Sequence, residues 1–255
     1  MRAELRHSEQ RDEFQDQGFA ILRAFLKGQQ LAELRDRVSR FLIEAVPQMP
    51  DEHVFYETKG DASTLKQLQH LELYDSDFHR HLTTGPFREL AENLMSGDVV
   101  PKNLQYFSKP PGKSRPTPAH QDGYYFMLNP CEAVTMWLAL DTIDEENGCV
   151  RYVRASHRTG LRPHQRSGVL GFSQGLTDFP TQTDRQQEVA ISADPGDLLA
   201  HNALTVHYAD ANHSTRRPRR SLGFIYYSTR AREDTTAHKA YQEALAAELK
   251  ATGKI

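Results

Sequence analysis

Two cysteines, Cys131 and Cys149, are all that the 255 residues contain. That is too few for a disulfide framework or a cysteine-rich zinc site, and a reducing cytoplasm is the expected setting. Long apolar runs are missing as well: no stretch approaches the roughly 18 residues that a membrane-crossing helix needs. The charged opening MRAELRHSEQRDEF lacks the apolar centre of a signal peptide. Nor does one sign of charge dominate. Lys and Arg number 31 against 34 Asp and Glu, a net charge of -3, which argues against a general nucleic-acid binder. There is no internal repeat and no low-complexity linker, and the length suits one barrel or sandwich domain, or two small ones. Histidine, by contrast, is plentiful, with twelve residues. Metal or acid-base chemistry is therefore worth testing, although the count alone assigns nothing.

In chain order, residues 8–46 read as two helices around a short extended piece. Ser8 is placed to cap a helix over 9–17 that Gly18 stops, and Phe19-Ala20-Ile21-Leu22 reads as a strand. Leu31, Leu34, Val38, Phe41 and Leu42 recur at helical spacing, a packing face that Pro47 and Pro50 end. Leu65, Leu68 and Leu71 suggest a helix with Lys66 on another face, and 86–95 an amphipathic helix closed by Gly97. From about Val99 short apolar stretches alternate with Pro, Gly and Asn clusters, among them HQDGYYFML, AVTMWLALD, CVRYV, EVAIS and RSLGFIYYS. About seven strands at this spacing indicate a sandwich or jelly-roll barrel. The expected fold is α+β with a mainly β core: helical over about 1–98, jelly roll over about 99–232, and a C-terminal helix over about 236–251.

The chemistry concentrates in Pro118-Ala119-His120-Gln121-Asp122. On an extended strand, His120 and Asp122 share one edge because side chains alternate with period two, so they offer two adjacent ligands to one metal. A third is expected from Leu204-Thr205-Val206-His207. Two histidines and one carboxylate with the opposite face open is the set that goes with non-haem Fe(II) and oxygen. One histidine in an apolar strand is more often a core residue; the joint pattern favours a site. His157 reads as structural, and His201 suits a supporting or pocket role.

Beyond His207, the run Asn212 to Phe224 is rich in arginine, most of it a basic surface turn. An arginine entering an apolar strand fits a carboxylate partner such as that of a 2-oxo acid. Alternation points Arg219, Ser221, Gly223 and Ile225 one way and Arg220, Leu222 and Phe224 the other, leaving open which set faces inward. Trp137, the only tryptophan, reads as core, with a bound carboxylate as one candidate partner for its N–H. The acidic turn DTIDEENG favours a tight hairpin, and its spacing does not fit an EF-hand.

The series HQDGYYF, VTMWLALDTIDEENGCVRYVRASHRTG, PGDLLAHNALTVH and NHSTRRPRRSLGF, with the opening EFQDQGFAILRAFL, resembles the phytanoyl-CoA dioxygenase family over nearly the whole chain. The resemblance implies a double-stranded β-helix, Fe(II), 2-oxoglutarate as cosubstrate and O2. It implies iron ligation by His120, Asp122 and His207 and a cosubstrate arginine at Arg219, with Arg216 and Arg220 as alternatives. Trp137 matches a residue lining the cosubstrate site, and Lys66 and Gln105 stand where some relatives contact 2-oxoglutarate. Two positions depart from the pattern: Ala155 replaces a usual glycine, and Ala209 stands where some relatives place a serine on the cosubstrate.

The implied reaction is hydroxylation of a small molecule with release of succinate and CO2. Asp122 favours it over halogenation, which needs a small residue at that position. A catalytically silent cupin-like binding protein and another metal enzyme on the same fold, using zinc for example, remain the alternatives. Tyr124, Tyr125 and the 160–185 region, read as a lid, are expected to line a pocket for a small polar substrate. No coenzyme A signature and no peroxisomal Ser-Lys-Leu ending stand out. Neither a nucleic-acid nor a membrane partner is expected, and the oligomeric state stays open.

Overall fold

The computed structural model describes residues 2–169 and 172–251, without the side chains of 2–7 and 248–250. The first elements are α1 (Arg2–Gln17), β1 (Phe19–Leu22), α2 (Gly28–Glu44), β2 (Val54–Tyr56), β3 (Leu65–Leu68), α3 (Ser76–Thr83) and α4 (Pro86–Met95). Next come β4 (Val99–Lys109), β5 (Thr117–His120), the one-turn α5 (Gly123–Phe126), β6 (Leu128–Asn129), β7 (Ala133–Ala139) and β8 (Val150–Val153). The rest is β9 (His164–Val169), β10 (Phe172–Leu176), α6 (Gln182–Gln187), β11 (Glu188–Ile191), β12 (Leu198–Asn202), β13 (His207–Ala209), β14 (Arg219–Ser228), β15 (Arg232–Glu233) and α7 (Thr235–Ala251).

Among the described residues, seven strands form one sheet in the order β1-β12-β7-β14-β4-β3-β2, and four form a second in the order β11-β8-β13-β5. The two antiparallel sheets face each other as a double-stranded β-helix, the expected jelly roll. Alternation along the central strands decides what goes where. Val134, Met136 and Leu138 of β7 and Leu222, Phe224 and Tyr226 of β14 join the core shared with the helices, which supply Leu34, Val38, Phe41, Phe78, Phe87 and Leu90. Trp137, Ala139 and Leu199 turn the other way and meet Val150, Tyr152 and Ile191 of the second sheet. The set containing Arg219, Ser221, Gly223 and Ile225 is therefore the one aimed between the sheets, as the parity rule requires.

Several expectations are corrected. Helix α1 starts at Arg2, so Ser8 lies inside it and is not its N-cap. The left-handed residue closing α4 is Ser96, with Gly97 donating its N–H to Glu92. Residues 65–68 are a strand, because Leu71 belongs to a separate 3-10 turn and the three-residue spacing spans two elements. In the β2–β3 pairing, Phe55 faces Gln67 but Tyr56 faces Leu65, so Lys66 is the extra residue of a bulge. A bulge re-aims its side chain. Lys66 is thereby directed inward, as Gln67 is. The stretch 120–128 is a strand end, a helical turn and another strand, and DTIDEENG joins strands of different sheets instead of closing a hairpin. Within 1–98 three strands extend the larger sheet, so that part is not purely helical.

Both cysteines are free thiols. Among the described residues no helix is long and apolar enough to cross a membrane. Phe224 ties the layers together: it is fully buried and stacks on Phe87 of α4 at 3.9 Å between ring centroids. Phe224→Ala is expected to lower unfolding stability by about 3–5 kcal/mol, read from urea denaturation.

Candidate metal centre

The pairing register builds the first half of the site. His207 of β13 stands directly opposite His120 of β5, and side chains so opposed are neighbours on one face of a sheet. Their ring centroids are 4.3 Å apart. Each ring is then oriented by its own backbone: Nδ1 of His120 lies 2.7 Å from the Pro118 carbonyl and Nδ1 of His207 lies 3.0 Å from that of Thr205. With Nδ1–H donated to a carbonyl, Nε2 keeps its lone pair for a metal.

Asp122 arrives differently from the expected strand geometry. The strand ends at His120, and Asp122, at φ -58° and ψ -31°, opens the helical turn α5. The Gly123 N–H donates to the Ala203 carbonyl at 2.8 Å. A Cβ on Gly123 would lie 2.5 Å from Cys131 Sγ, so this close approach requires glycine. The turn carries the carboxylate between the two imidazoles. Asp122 Oδ1 is 3.5 Å from His120 Nε2 and 3.7 Å from His207 Nε2, and one donor atom from each residue falls within 4.8 Å of the others.

The other carboxylate oxygen is held from behind. Asp122 Oδ2 accepts from the Thr135 hydroxyl at 2.6 Å and lies 3.1 Å from His201 Nε2, whose Nδ1 meets the Tyr152 hydroxyl at 3.0 Å. His201 is thus a support and not a fourth ligand. Burial alone would raise the Asp122 pKa, but His207, His120 and His201 outweigh it and hold the carboxyl well below its usual range. Burial pushes His207 well down, reinforced by His120 and His201, so its imidazole is neutral at neutral pH. A carboxylate and neutral imidazoles are the protonation states a metal requires.

Two cavities meet at this cluster. The smaller, about 80 Å³, includes Lys66, Trp137, Tyr152 and Arg219 in its lining together with the three donors. Arg219 is buried, donates through Nε to the Gly148 carbonyl at 3.0 Å, and places its guanidinium 5.1 Å from the Trp137 ring. Gly148 turns with φ +84° to present that carbonyl. Burial lowers the Arg219 pKa to about 10, so it stays charged at neutral pH. Among the described residues no carboxylate lies within 4 Å of it. An unpaired buried cation calls for an anion. The other arginines are committed elsewhere: Arg220 grips Asp141 with two bonds of 2.7 and 3.0 Å, Arg217 pairs with Asp144, and Arg216 is exposed. Lys66 lies 3.4 Å from Glu57 Oε1 on the same wall.

The larger cavity, about 410 Å³, is lined by Gln105 but not by Arg219, Trp137 or Lys66. Tyr125 faces it, whereas Tyr124 stacks on His164 at 4.5 Å. The 160–185 region is the β9–β10 hairpin followed by α6, with Val169, Phe172 and Ser173 on the cavity wall; residues 170 and 171 of the expected lid lie outside the described residues. His157 binds the Gln15 carbonyl, away from the donors. Ala155 adopts φ +57°, the left-handed conformation that favours a glycine there. Thr135, Tyr152 and Lys109 were not foreseen in the site, although Thr135 shares the strand parity of Trp137. Helix α7 also lines the larger cavity, and the 3–4 spacing of His238, Tyr241, Gln242 and Leu245 is the signal for it.

The sequence model described as "Phytanoyl-CoA dioxygenase (PhyH)" matches residues 14–221. The peroxisomal phytanoyl-CoA dioxygenase of Bos taurus is 22% identical over 223 residues, covering 81% of this chain and 64% of that protein. The chain thus spans a little under two thirds of that relative's length. Among solved structures, the epimerase SnoN in complex with Fe3+, alpha ketoglutarate and nogalamycin RO superposes with a TM-score of 0.72 at 22% identity, covering 90% of this chain and 86% of that one. EvdO2 from Micromonospora carbonacea var. aurantiaca, complexed with 2-oxoglutarate, does so with a TM-score of 0.68 at 25% identity, covering 89% and 92%.

Thr135→Val removes the hydroxyl behind Asp122 with little change of volume. Calorimetric titration with cobalt(II) is expected to show about 10–100-fold weaker binding than the parent protein.

Proposed function

The chain belongs to the phytanoyl-CoA dioxygenase family, and on that premise we propose that it hydroxylates a C–H bond of a small molecule with Fe(II), 2-oxoglutarate and O2, releasing succinate and CO2. One observation carries this reading: a His, Asp and His donor cluster with both histidines buried shares a small cavity with a buried arginine that has no carboxylate within 4 Å among the described residues. The donor set fits iron(II), being two imidazole nitrogens and one carboxylate oxygen. The arginine fits the far carboxylate of a 2-oxo acid that reaches the metal with its other end.

Bound iron with 2-oxoglutarate supplies the oxidising power for inserting one oxygen atom into the substrate. The residues of this chain do the rest. His120, Asp122 and His207 would hold the metal, and Thr135 and His201 engage Asp122 Oδ2, which leaves Oδ1 for it. Arg219 neutralises and orients the cosubstrate, with the Trp137 ring 5.1 Å from the guanidinium and the Lys66–Glu57 pair on the same wall. Phe107 and Phe172 line both cavities and shield the junction from water. Gln105 lies in the larger cavity, where the primary substrate is received. We place the reaction in the cytoplasm, in keeping with the free thiols, and read the whole chain as one catalytic unit because β1 completes the larger sheet and α7 lines its cavity.

Two measurements test the assignment. Anaerobic addition of Fe(II) and 2-oxoglutarate is expected to give a visible metal-to-ligand charge-transfer band and, with oxygen, succinate; Asp122→Ala is expected to lose both, and full turnover by that variant would refute the donor set. Arg219→Met is expected to raise the 2-oxoglutarate dissociation constant by roughly 10–100-fold, the loss of a charge-assisted bidentate contact, with the metal affinity retained.

A further inference from the structure

The family takes its name from a coenzyme A thioester, a polyanion. The larger cavity has the wrong chemistry for one. Apart from Asp122 at the metal, its charged lining residues are Glu52, Lys102 and Glu233. The single lysine is already committed: Lys102 Nζ lies 2.9 Å from Glu233 Oε2 and 4.7 Å from the centre of the Tyr227 ring. No arginine lines the cavity among the described residues. Phosphate recognition relies on free guanidinium or ammonium groups or on a helix N-terminus, and two carboxylates against one paired lysine repel such a group.

What the cavity offers instead is a pair of side-chain amides. Gln67 of β3 and Gln105 of β4 are both buried and joined by a 3.1 Å bond from Gln67 Nε2 to Gln105 Oε1. The Gln67 carbonyl oxygen is buried with no hydrogen-bond partner. Among the described residues the Gln105 amide nitrogen donates to nothing either. The pair therefore presents one acceptor and one donor to whatever enters. Exchanging oxygen and nitrogen in both amides leaves that count unchanged, since the bond would then run from Gln105 to Gln67 with one donor and one acceptor still free. A buried unpaired amide costs free energy until a ligand satisfies it. Around the pair, Phe107, Tyr125, Phe126, Phe172 and Tyr227 supply ring faces, and a cavity near 410 Å³ suits a drug-sized molecule.

Building on the oxygenase reading above, we propose that the primary substrate is an uncharged cyclic compound with adjacent hydrogen-bond donor and acceptor groups, read by the Gln67–Gln105 amide pair, and not a coenzyme A thioester. Its apolar ring edges lie against the aromatic wall, and its paired polar groups fill the two open positions of the amides. Gln67 and Gln105 are specificity-determining residues in this scheme.

The test is isothermal calorimetry on the full chain, with Fe(II) and 2-oxoglutarate under anaerobic conditions and again without metal. Three probe sets are used: methyl glycosides, cyclitols and lactams; coenzyme A and its acyl thioesters; and alicyclic hydrocarbons or ethers without donors. Millimolar or tighter binding by a member of the first set, with none in the second, is expected. Gln67→Leu, Gln105→Leu and the nearly isosteric Gln105→Met are expected to weaken the best first-set ligand about tenfold each, as loss of a hydrogen bond predicts, with thermal unfolding verifying that each variant folds. Tighter binding by a thioester, equal binding by the third set, or no binding in the first set overturns the proposal. So does a loss confined to 2-oxoglutarate affinity in the Gln105 variants, which would assign that residue to the cosubstrate. Absence of the charge-transfer band would refute the oxygenase reading separately, while the metal-free titration still decides the ligand class.

Discussion

A carboxylate buried without an ammonium or guanidinium beside it is the constraint on which this structure turns. Among the described residues the side-chain partners of Asp122 are three imidazoles and one hydroxyl, contributed by β5, β13, β12 and β7. Those strands belong to both sheets. Displacing any of them removes a partner from a charge that burial already penalises. The site and the sandwich are consequently one cooperative object: the pairing that closes the β-helix also assembles the partners of its acidic centre.

Register does the positioning. A one-residue slip of β13 against β5 would turn His207 away from His120, and the apolar inward residues of β8 and β12 oppose such a slip by needing the same face. The larger sheet contributes in another way. Its central strands are buried on both sides, so their outward residues can be chosen for packing on helices while Thr135, Trp137 and Arg219 are free to serve the cavity. The segregation of duties by strand parity lets an apolar core and a polar pocket occupy the same seven strands.

Much of this was legible beforehand because it is local or periodic. Alternation in β14 and the helical spacing in α2 and α4 survive in the structure almost residue for residue. His120, Asp122 and His207 could be named because their residue types and order are distinctive, yet the local geometry was misjudged: Gly123 begins a helical turn where alternation suggested a continuing strand. Lys66 shows a second limit. Its inward aim depends on a bulge set by the partner strand β2, information that no window around residue 66 contains. Arg219 differs from Arg220 through Asp141, which occupies Arg220 in a contact spanning 79 positions, and from Arg216 through its burial. Long-range partners choose among locally equivalent residues, and a single sequence does not list them.

The placement of α7 carries a consequence for how such a protein diversifies. Its inner face, from His238 through Tyr241 to Ala246, forms part of the large cavity, whereas the His, Asp and His cluster sits on β5, β13 and the turn that follows β5. Tyr241 fastens the helix to β10 through the Ser173 hydroxyl at 2.6 Å, and most of the remaining helix faces solvent. Substitutions on that one face can reshape what is admitted without disturbing any strand pairing that assembles the oxidising centre. In evolutionary terms the molecule separates its engine from its keyhole, and selection for a new molecule can act on a single exposed helix at small cost to folding.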